Sequence, residues 1–304
     1  MSPLLPVLLL WAPVLQAAQP QAQPPIFATQ VESVFIDVFL LGESGRKRRL
    51  TADDFILEDE GAPQAFDLVP TDTLPIHAVL VFDVSGSVQG PKLDGLRAAA
   101  LSFLKRLRSG DEAGLISFSD EITWLAPLTG RLDEVRQALA SLRPGGATSV
   151  RDALFSALIM PRSALRTLVV LFSDGEDSMS WLGRAQIEAE VRKSNALIHV
   201  VAARSEDFKP AARTPSSSLV DSADIRDLRA LAELTGGSLI AVTSPNRIEA
   251  AFHQIIDEMR DRYVLRYDPT DEPRPGWHRL DVRLKSGKGK MRGRAGYWVE
   301  AAPH

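Results

Sequence analysis

The segment Asp83-Val84-Ser85-Gly86-Ser87 sets one carboxylate and two hydroxyls at alternate positions. A turn at the end of a strand directs such side chains towards one point, and all three are hard oxygen donors. Donors of this kind suit Mg²⁺, Mn²⁺ or Ca²⁺ rather than soft metals, and a small cation held by hydroxyls keeps waters or an open position. Asp and Ser are also ordinary residues of helix-entry turns, so the pattern taken alone fits a helix cap equally well. Two further segments follow in order: Gly145-Gly146-Ala147-Thr148, ahead of a helical stretch beginning near Asp152, and Phe172-Ser173-Asp174-Gly175.

The elements that position these residues are legible in the hydrophobic pattern. Ile76 to Phe82 is a nearly continuous apolar run, as a strand buried on both faces requires. Asp83 therefore stands at a strand's C-terminal edge, where open α/β sheets place ligands. Leu93, Leu96, Ala100, Phe103, Leu104 and Leu107 recur at three- and four-residue intervals and predict a helix directly after it. The alternation continues with strands at 113–118, 122–125, 167–172, 196–202 and 238–242. Helices are predicted around Leu132 to Leu142, from near Asp152, and over about 184–194, 224–234 and 247–259. The expected fold class is α/β: a doubly wound, mostly parallel six-stranded sheet with helices on both faces, over residues 75–260.

On either side the pattern changes to short strands separated by turns. Residues 26–74 carry strand-like runs in Val31 to Leu40, Phe55 to Leu57 and Phe66 to Leu68, with Gly42-Glu43-Ser44-Gly45 and Gly61-Ala62-Pro63 as turns. Residues 261–304 carry Tyr263 to Tyr267, His278 to Leu284 and Ala295 to Val299, with Pro269, Pro273, Pro275 and Gly276 in a loop. Neither flank has enough strands to be comfortable alone, so the two are expected to pair into one small β unit into which the α/β domain is inserted.

The three ordered segments resemble the von Willebrand factor type A domain, whose metal-ion-dependent adhesion site combines D-x-S-x-S with a separate Thr and a separate Asp. The resemblance assigns those roles to Asp83, Ser85, Ser87, Thr148 and Asp174, with Ala147 standing between the glycine pair and Thr148. It implies a divalent cation, Mg²⁺ with Mn²⁺ or Ca²⁺ as alternatives, held by the hydroxyls and by the Asp residues directly or through water. The flanks are similar to those of a bacterial secreted group of such proteins. The segments concerned are Leu50-Thr51-Ala52-Asp53-Asp54-Phe55 with Glu58-Asp59-Glu60-Gly61, then Tyr263-Val264-Leu265-Arg266-Tyr267 and Gly296-Tyr297. Two carboxylates neutralise a dication and three hydroxyls add no charge, so an acidic group from another protein would complete the shell favourably. The expected function is a metal-dependent protein-binding, adhesion-type module without catalysis.

Competing readings attach to neighbouring residues. Asp152, Glu176 and Asp177 lie beside the expected ligands and would support them from behind, or serve only as helix N-terminal and loop charges. Trp181 and the loop from Arg204 to Val220, with Thr214-Pro215-Ser216-Ser217-Ser218 at its centre, follow strands on the same edge and would meet a partner, or are exposed loops with no role. Lys285, Lys288, Lys290, Arg292 and Arg294 form a basic run without aromatic interleaving, which reads as a solvated hairpin rather than a nucleic-acid or lipid patch. An enzyme is the alternative class, a metal-assisted hydrolase. The five His, at 77, 199, 253, 278 and 304, show no H-E-x-x-H spacing, and there is no G-x-S-x-G elbow or phosphate loop. A scaffold with a vestigial metal site is the third reading.

Composition is consistent with a globular chain. Of 304 residues 45% are hydrophobic and 24% charged, and 35 Lys and Arg stand against 39 Asp and Glu, a balance that gives no general attraction to nucleic acid. The absence of Cys excludes disulfides, thiolate zinc sites and cysteine nucleophiles. Residues 1–25 lack Asp, Glu, Lys and Arg and contain the apolar run Leu4 to Leu15, too short for a membrane span, followed by Ala17, Ala18 and a proline-rich stretch. This reads as a secretory signal and linker, against the alternative of an apolar disordered N-terminus, and predicts a secreted or periplasmic protein without a membrane span after cleavage.

Overall fold

The computed structural model describes residues 33–42, 50–159, 166–174, 177–203, 222–269, 274–287 and 289–301. Residues 1–25, Val31, the turn at 43–45, Gly175, Glu176, the 204–220 loop, Pro273, Lys288 and His304, all used above, lie outside the described residues.

The N-terminal flank forms β1 (Val34–Leu41), β2 (Phe55–Asp59), the two-residue β3 (Ala62–Pro63) and β4 (Asp67–Val69). The central segment alternates as the apolar pattern predicts. It runs β5 (His77–Asp83), α1 (Pro91–Lys105), β6 (Glu112–Phe118), β7 (Ile122–Thr129), α2 (Leu132–Ala140) and α3 (Val150–Leu158). It continues through β8 (Thr167–Ser173), α4 (Arg184–Lys193), β9 (Leu197–Ala203), α5 (Ala223–Leu234), β10 (Leu239–Val242) and α6 (Pro245–Asp261). The C-terminal flank adds β11 (Tyr263–Tyr267), β12 (Gly276–Leu284), β13 (Lys290–Gly293) and β14 (Gly296–Val299).

The central sheet has the order β10-β9-β8-β5-β6-β7, parallel except for β7, which runs antiparallel to β6 through an irregular register. Alternation along β5 divides its side chains between two cores. Ala78, Leu80 and Phe82 pack with α1, α2 and α6, while Val79 and Val81 pack with α3, α4 and α5. Chain order reverses at β5, which lies between β8 and β6, and a crevice opens beyond the strand ends at such a switch point.

The flanks pair across the whole length of the inserted domain. One four-stranded sheet has the order β13-β1-β11-β4 and the other β14-β12-β2-β3. Val34, Ile36 and Val38 of the first share a single apolar core with Phe55, Leu57, Leu280 and Tyr297 of the second. A buried ionic network joins this unit to the α/β domain: Glu258 of α6 binds Arg262 and the β13 residue Arg292, with His199 of β9 beside it at 3.5 Å. Burial pushes the His199 ring down to about 3, although Glu258 opposes the shift.

The basic run departs from the solvated hairpin expected from sequence in its arginines, whereas its described lysines, Lys285 and Lys290, are exposed. Residues 290–293 form β13, hydrogen-bonded to β1, and both arginines turn inward: Arg292 reaches Glu258, and Arg294 binds the Asn195 side chain at 2.7 Å and the Ser194 carbonyl at 3.2 Å. Burial lowers Arg294 to about 10. The physical reason is that both guanidiniums find polar partners on the α/β domain, which no local charge count reveals.

Candidate metal centre

Asp83 is the last residue of β5 and Asp174 follows β8, so hydrogen bonding between two adjacent parallel strands brings their carboxylates to one edge. Asp83 is fully buried and Asp174 nearly so. One oxygen of Asp83 accepts the Ser85 backbone N–H at 2.8 Å, and the other accepts the Ser173 hydroxyl at 2.8 Å, which fixes the carboxylate plane. Ser85 Oγ lies 3.0 Å from Ser87 Oγ; Ser85 is buried and Ser87 exposed, so the hydroxyl pair runs from the interior to the surface. The helix-cap alternative fails here, because among the described residues no side chain caps the short turn at 86–88 or the start of α1.

The loop bearing Thr148 is sewn onto the same turn. Gly86 N–H donates to the Gly146 carbonyl at 3.2 Å and Gly145 N–H to the Val84 carbonyl at 2.7 Å. Gly146 has a φ of +82°, and a side chain there would collide with the Asp120 carboxylate. Glycine is therefore required for this approach. Thr148 is buried, and its carbonyl accepts the N–H groups of Ser178 and Met179 while its own N–H donates to Ser178 Oγ.

The neighbouring acids divide by task. Both Asp152 oxygens are used on the backbone N–H groups of Trp181 and Leu182, at 2.8 and 2.9 Å. Asp177 accepts from the N–H groups of Arg151, in the first turn of α3, and Ser180. Both thus staple the 177–183 loop to the start of α3. That loop carries Trp181 at the surface, 93% exposed.

Lys92 completes the centre, and the sequence reading did not single it out. Its ammonium, buried in the first turn of α1, lies 3.4 Å from Asp174 Oδ2 and 3.1 Å from the Ser87 carbonyl. A signal was present: Lys92 stands four residues before Leu96 on the face that also carries Ala99 and Phe103, a position where a solvated lysine is out of place. Burial, with the Asp174 charge adding to it and the Ser85 and Ser173 hydrogen bonds opposing it, pushes Asp83 up to about 6. Two buried carboxylates against one ammonium leave a site short of positive charge, and its oxygen-only donor set fits a hard dication.

A chain with a switch-point sheet, a strand-end D-x-S-x-S turn and a second aspartate on the neighbouring strand has the architecture of a von Willebrand factor type A domain. Residues 78–176 match the family model of that domain, and the chain contains one. The segment is similar to inter-alpha-trypsin inhibitor heavy chain H4 of Bos taurus, 29% identical over 137 residues. It is also similar to heavy chain H2 of Homo sapiens, 26% identical over 137 residues. Each alignment covers 40% of this chain but only 15% and 14% of those proteins respectively. Among solved structures, the von Willebrand factor type A protein from Catenulispora acidiphila shares the fold with a TM-score of 0.50 and 11% identity, covering 86% of this chain and 73% of that one. Among the described residues no helix is long and apolar enough to cross a membrane.

Proposed function

We propose that the chain is a divalent-cation-dependent protein-binding module that captures an acidic side chain of another protein, and that it works outside the cytoplasm. The observation that carries this reading is the buried pair Asp83 and Asp174 on adjacent strand ends, with Ser85 and Ser87 beside them and Lys92 against Asp174. Asp83, Ser85, Ser87, Thr148 and Asp174 would hold the ion, with Mg²⁺ favoured by the oxygen donors and Mn²⁺ or Ca²⁺ as alternatives. The ion would supply a positive centre to which an anionic partner group could bind. Two carboxylates, one ammonium and a dication sum to one positive charge, so Lys92 strengthens the preference for an anionic partner group over a neutral one. The apolar run at residues 4–15 supports a secreted or periplasmic location.

A binding role is favoured over metal-assisted hydrolysis because the described histidines are engaged elsewhere. His77 opens β5 at the opposite end from Asp83, His199 and His253 pack against α6 side chains or Ser102, and His278 belongs to β12. Panning a random peptide library against the Mg²⁺-loaded chain tests the proposal. Peptides released by EDTA are expected to share an Asp or Glu, to lose binding when that residue is amidated, and to ignore Asp174→Ala. Release that is insensitive to EDTA, or equal binding to Asp174→Ala, would overturn it.

A further inference from the structure

A second cluster of ligating side chains lies in the β unit, built from residues that the metal centre above does not use. Asp59 ends β2, Glu60 follows it with a left-handed φ of 49°, and His278 lies on β12, hydrogen-bonded to β2. One ligand atom from each of the three falls within 4.8 Å of the other two.

The hydrogen bonds within this cluster leave a specific deficit. Asp59 Oδ2 accepts two hydroxyls, Tyr267 from the opposite sheet and Tyr297 from β14, each at 2.8 Å. Asp59 Oδ1 is buried, in a residue only 8% exposed, and has no hydrogen-bond partner among the described residues. His278, 6% exposed, puts Nε2 2.8 Å from the Arg274 carbonyl. A carbonyl only accepts, so Nε2 carries the hydrogen and the neutral ring keeps its lone pair on Nδ1. Nδ1 faces Asp59 Oδ1 at 3.6 Å, beyond hydrogen-bonding distance. With the ring neutral, the buried Asp59 Oδ1 and the Nδ1 lone pair face each other, an arrangement that costs free energy unless a cation joins them.

We propose that Asp59, His278 and Glu60 form a second cation site, for a borderline transition dication of the zinc class. Imidazole with carboxylates suits such ions better than Mg²⁺. Ligand atoms about 2.0–2.2 Å from a tetrahedral ion stand roughly 3.3–3.6 Å apart, which matches the gap between Nδ1 and Oδ1. The remaining bonds have the form of a supporting shell. The tyrosines orient the Asp59 carboxylate, the Arg274 carbonyl fixes the imidazole tautomer, and Glu60 is steadied by the Arg279 N–H at 2.6 Å and by Arg274 at 3.1 Å. Two carboxylates neutralise the ion. Because Asp59 belongs to the N-terminal flank and His278 to the C-terminal one, the ion would clamp together two halves that the α/β domain separates in sequence.

The test uses the full chain, stripped with EDTA and titrated with Co²⁺ and then Zn²⁺. Visible Co²⁺ absorption saturating near one equivalent is expected in the wild type and equally in Asp83→Ala, which disables the other centre, with Zn²⁺ displacing the signal. His278→Gln should abolish it, and Glu60→Gln, at an exposed turn where folding is not at stake, should weaken binding at least tenfold. If His278→Gln fails to fold, Glu60→Gln decides alone. Absorption that persists unchanged in these variants, or is lost in Asp83→Ala, overturns the site. So does a wild type that binds neither ion, in which case the pair is an imidazolium–carboxylate contact.

Discussion

The metal centre places an energetic load on the metal-free protein, and Asp83→Asn measures it. Asp83 is pushed from the ordinary 3.8 to about 6 when the chain folds without a cation. A shift of roughly two units corresponds to about 3 kcal/mol at about 1.4 kcal/mol per unit. The sign follows from linkage. A carboxyl whose folded pKa is raised holds its proton longer in the folded state, so stability falls as pH rises through the interval from 3.8 to about 6 and stays low above it. Asn has the same shape, can accept the Ser85 N–H and removes the charge. In EDTA at pH 7.5, Asp83→Asn should therefore be more stable than the wild type by up to about 3 kcal/mol, or roughly 6–12 °C in melting temperature for a chain of this size. The gap should close as pH falls towards 4. Mg²⁺ at a thousandfold its Kd should reverse the order, since it adds about 4.1 kcal/mol to the wild type alone. Calorimetric or fluorescence melts of both proteins at several pH values give the comparison. A variant less stable than the wild type in EDTA at neutral pH would refute the argument that charge burial dominates at this residue.

Three further outcomes follow from the geometry. His199, held near 3 by burial among Glu258, Arg262, Arg292 and Ser238, takes up a proton on unfolding below its ordinary 6.5. It should therefore contribute about 2 kcal/mol of lost stability between pH 7 and pH 5, a loss that His199→Gln largely removes in urea titrations. Gly146→Ala forces a left-handed alanine against Asp120 and should cost about 1–3 kcal/mol while reducing the Mg²⁺-dependent rise in melting temperature, because the loop carrying Thr148 must shift. Asp152→Ala releases the Trp181 and Leu182 amides, so hydrogen exchange over residues 177–183 should accelerate while β5 and β8 stay protected.

The α/β core and the strand-end motif were legible because they are local. Continuous apolar runs at 76–82 and 167–172 announce strands buried on both faces, and the three- and four-residue spacing after Ser87 announces α1. The D-x-S-x-S turn needs no distant partner to be seen. What escaped reading depends on contacts far apart in sequence. Nothing near Lys290 to Gly293 indicates that β1 is waiting to pair with it, or that Glu258 will neutralise Arg292. Lys92 was hidden by the habit of treating lysines as solvated, although its helical position placed it on the buried face. Asp152 and Asp177 read as neighbours of a cation, yet their oxygens are turned to backbone amides that only the folded loop presents.

The flanking strands have a kinetic consequence. Val69 and Val264 are paired neighbours in β4 and β11, although 195 positions separate them along the chain. Closing an unstructured loop of that length costs about 5 kcal/mol of chain entropy, more than a three-residue ladder returns. A folded α/β domain delivers its two ends side by side and removes most of that cost. The sandwich should thus be the last part to close, and its closure acts as a checkpoint: a chain emerging with the domain unfinished leaves its β edges open to proteolysis, whereas a finished domain seals them.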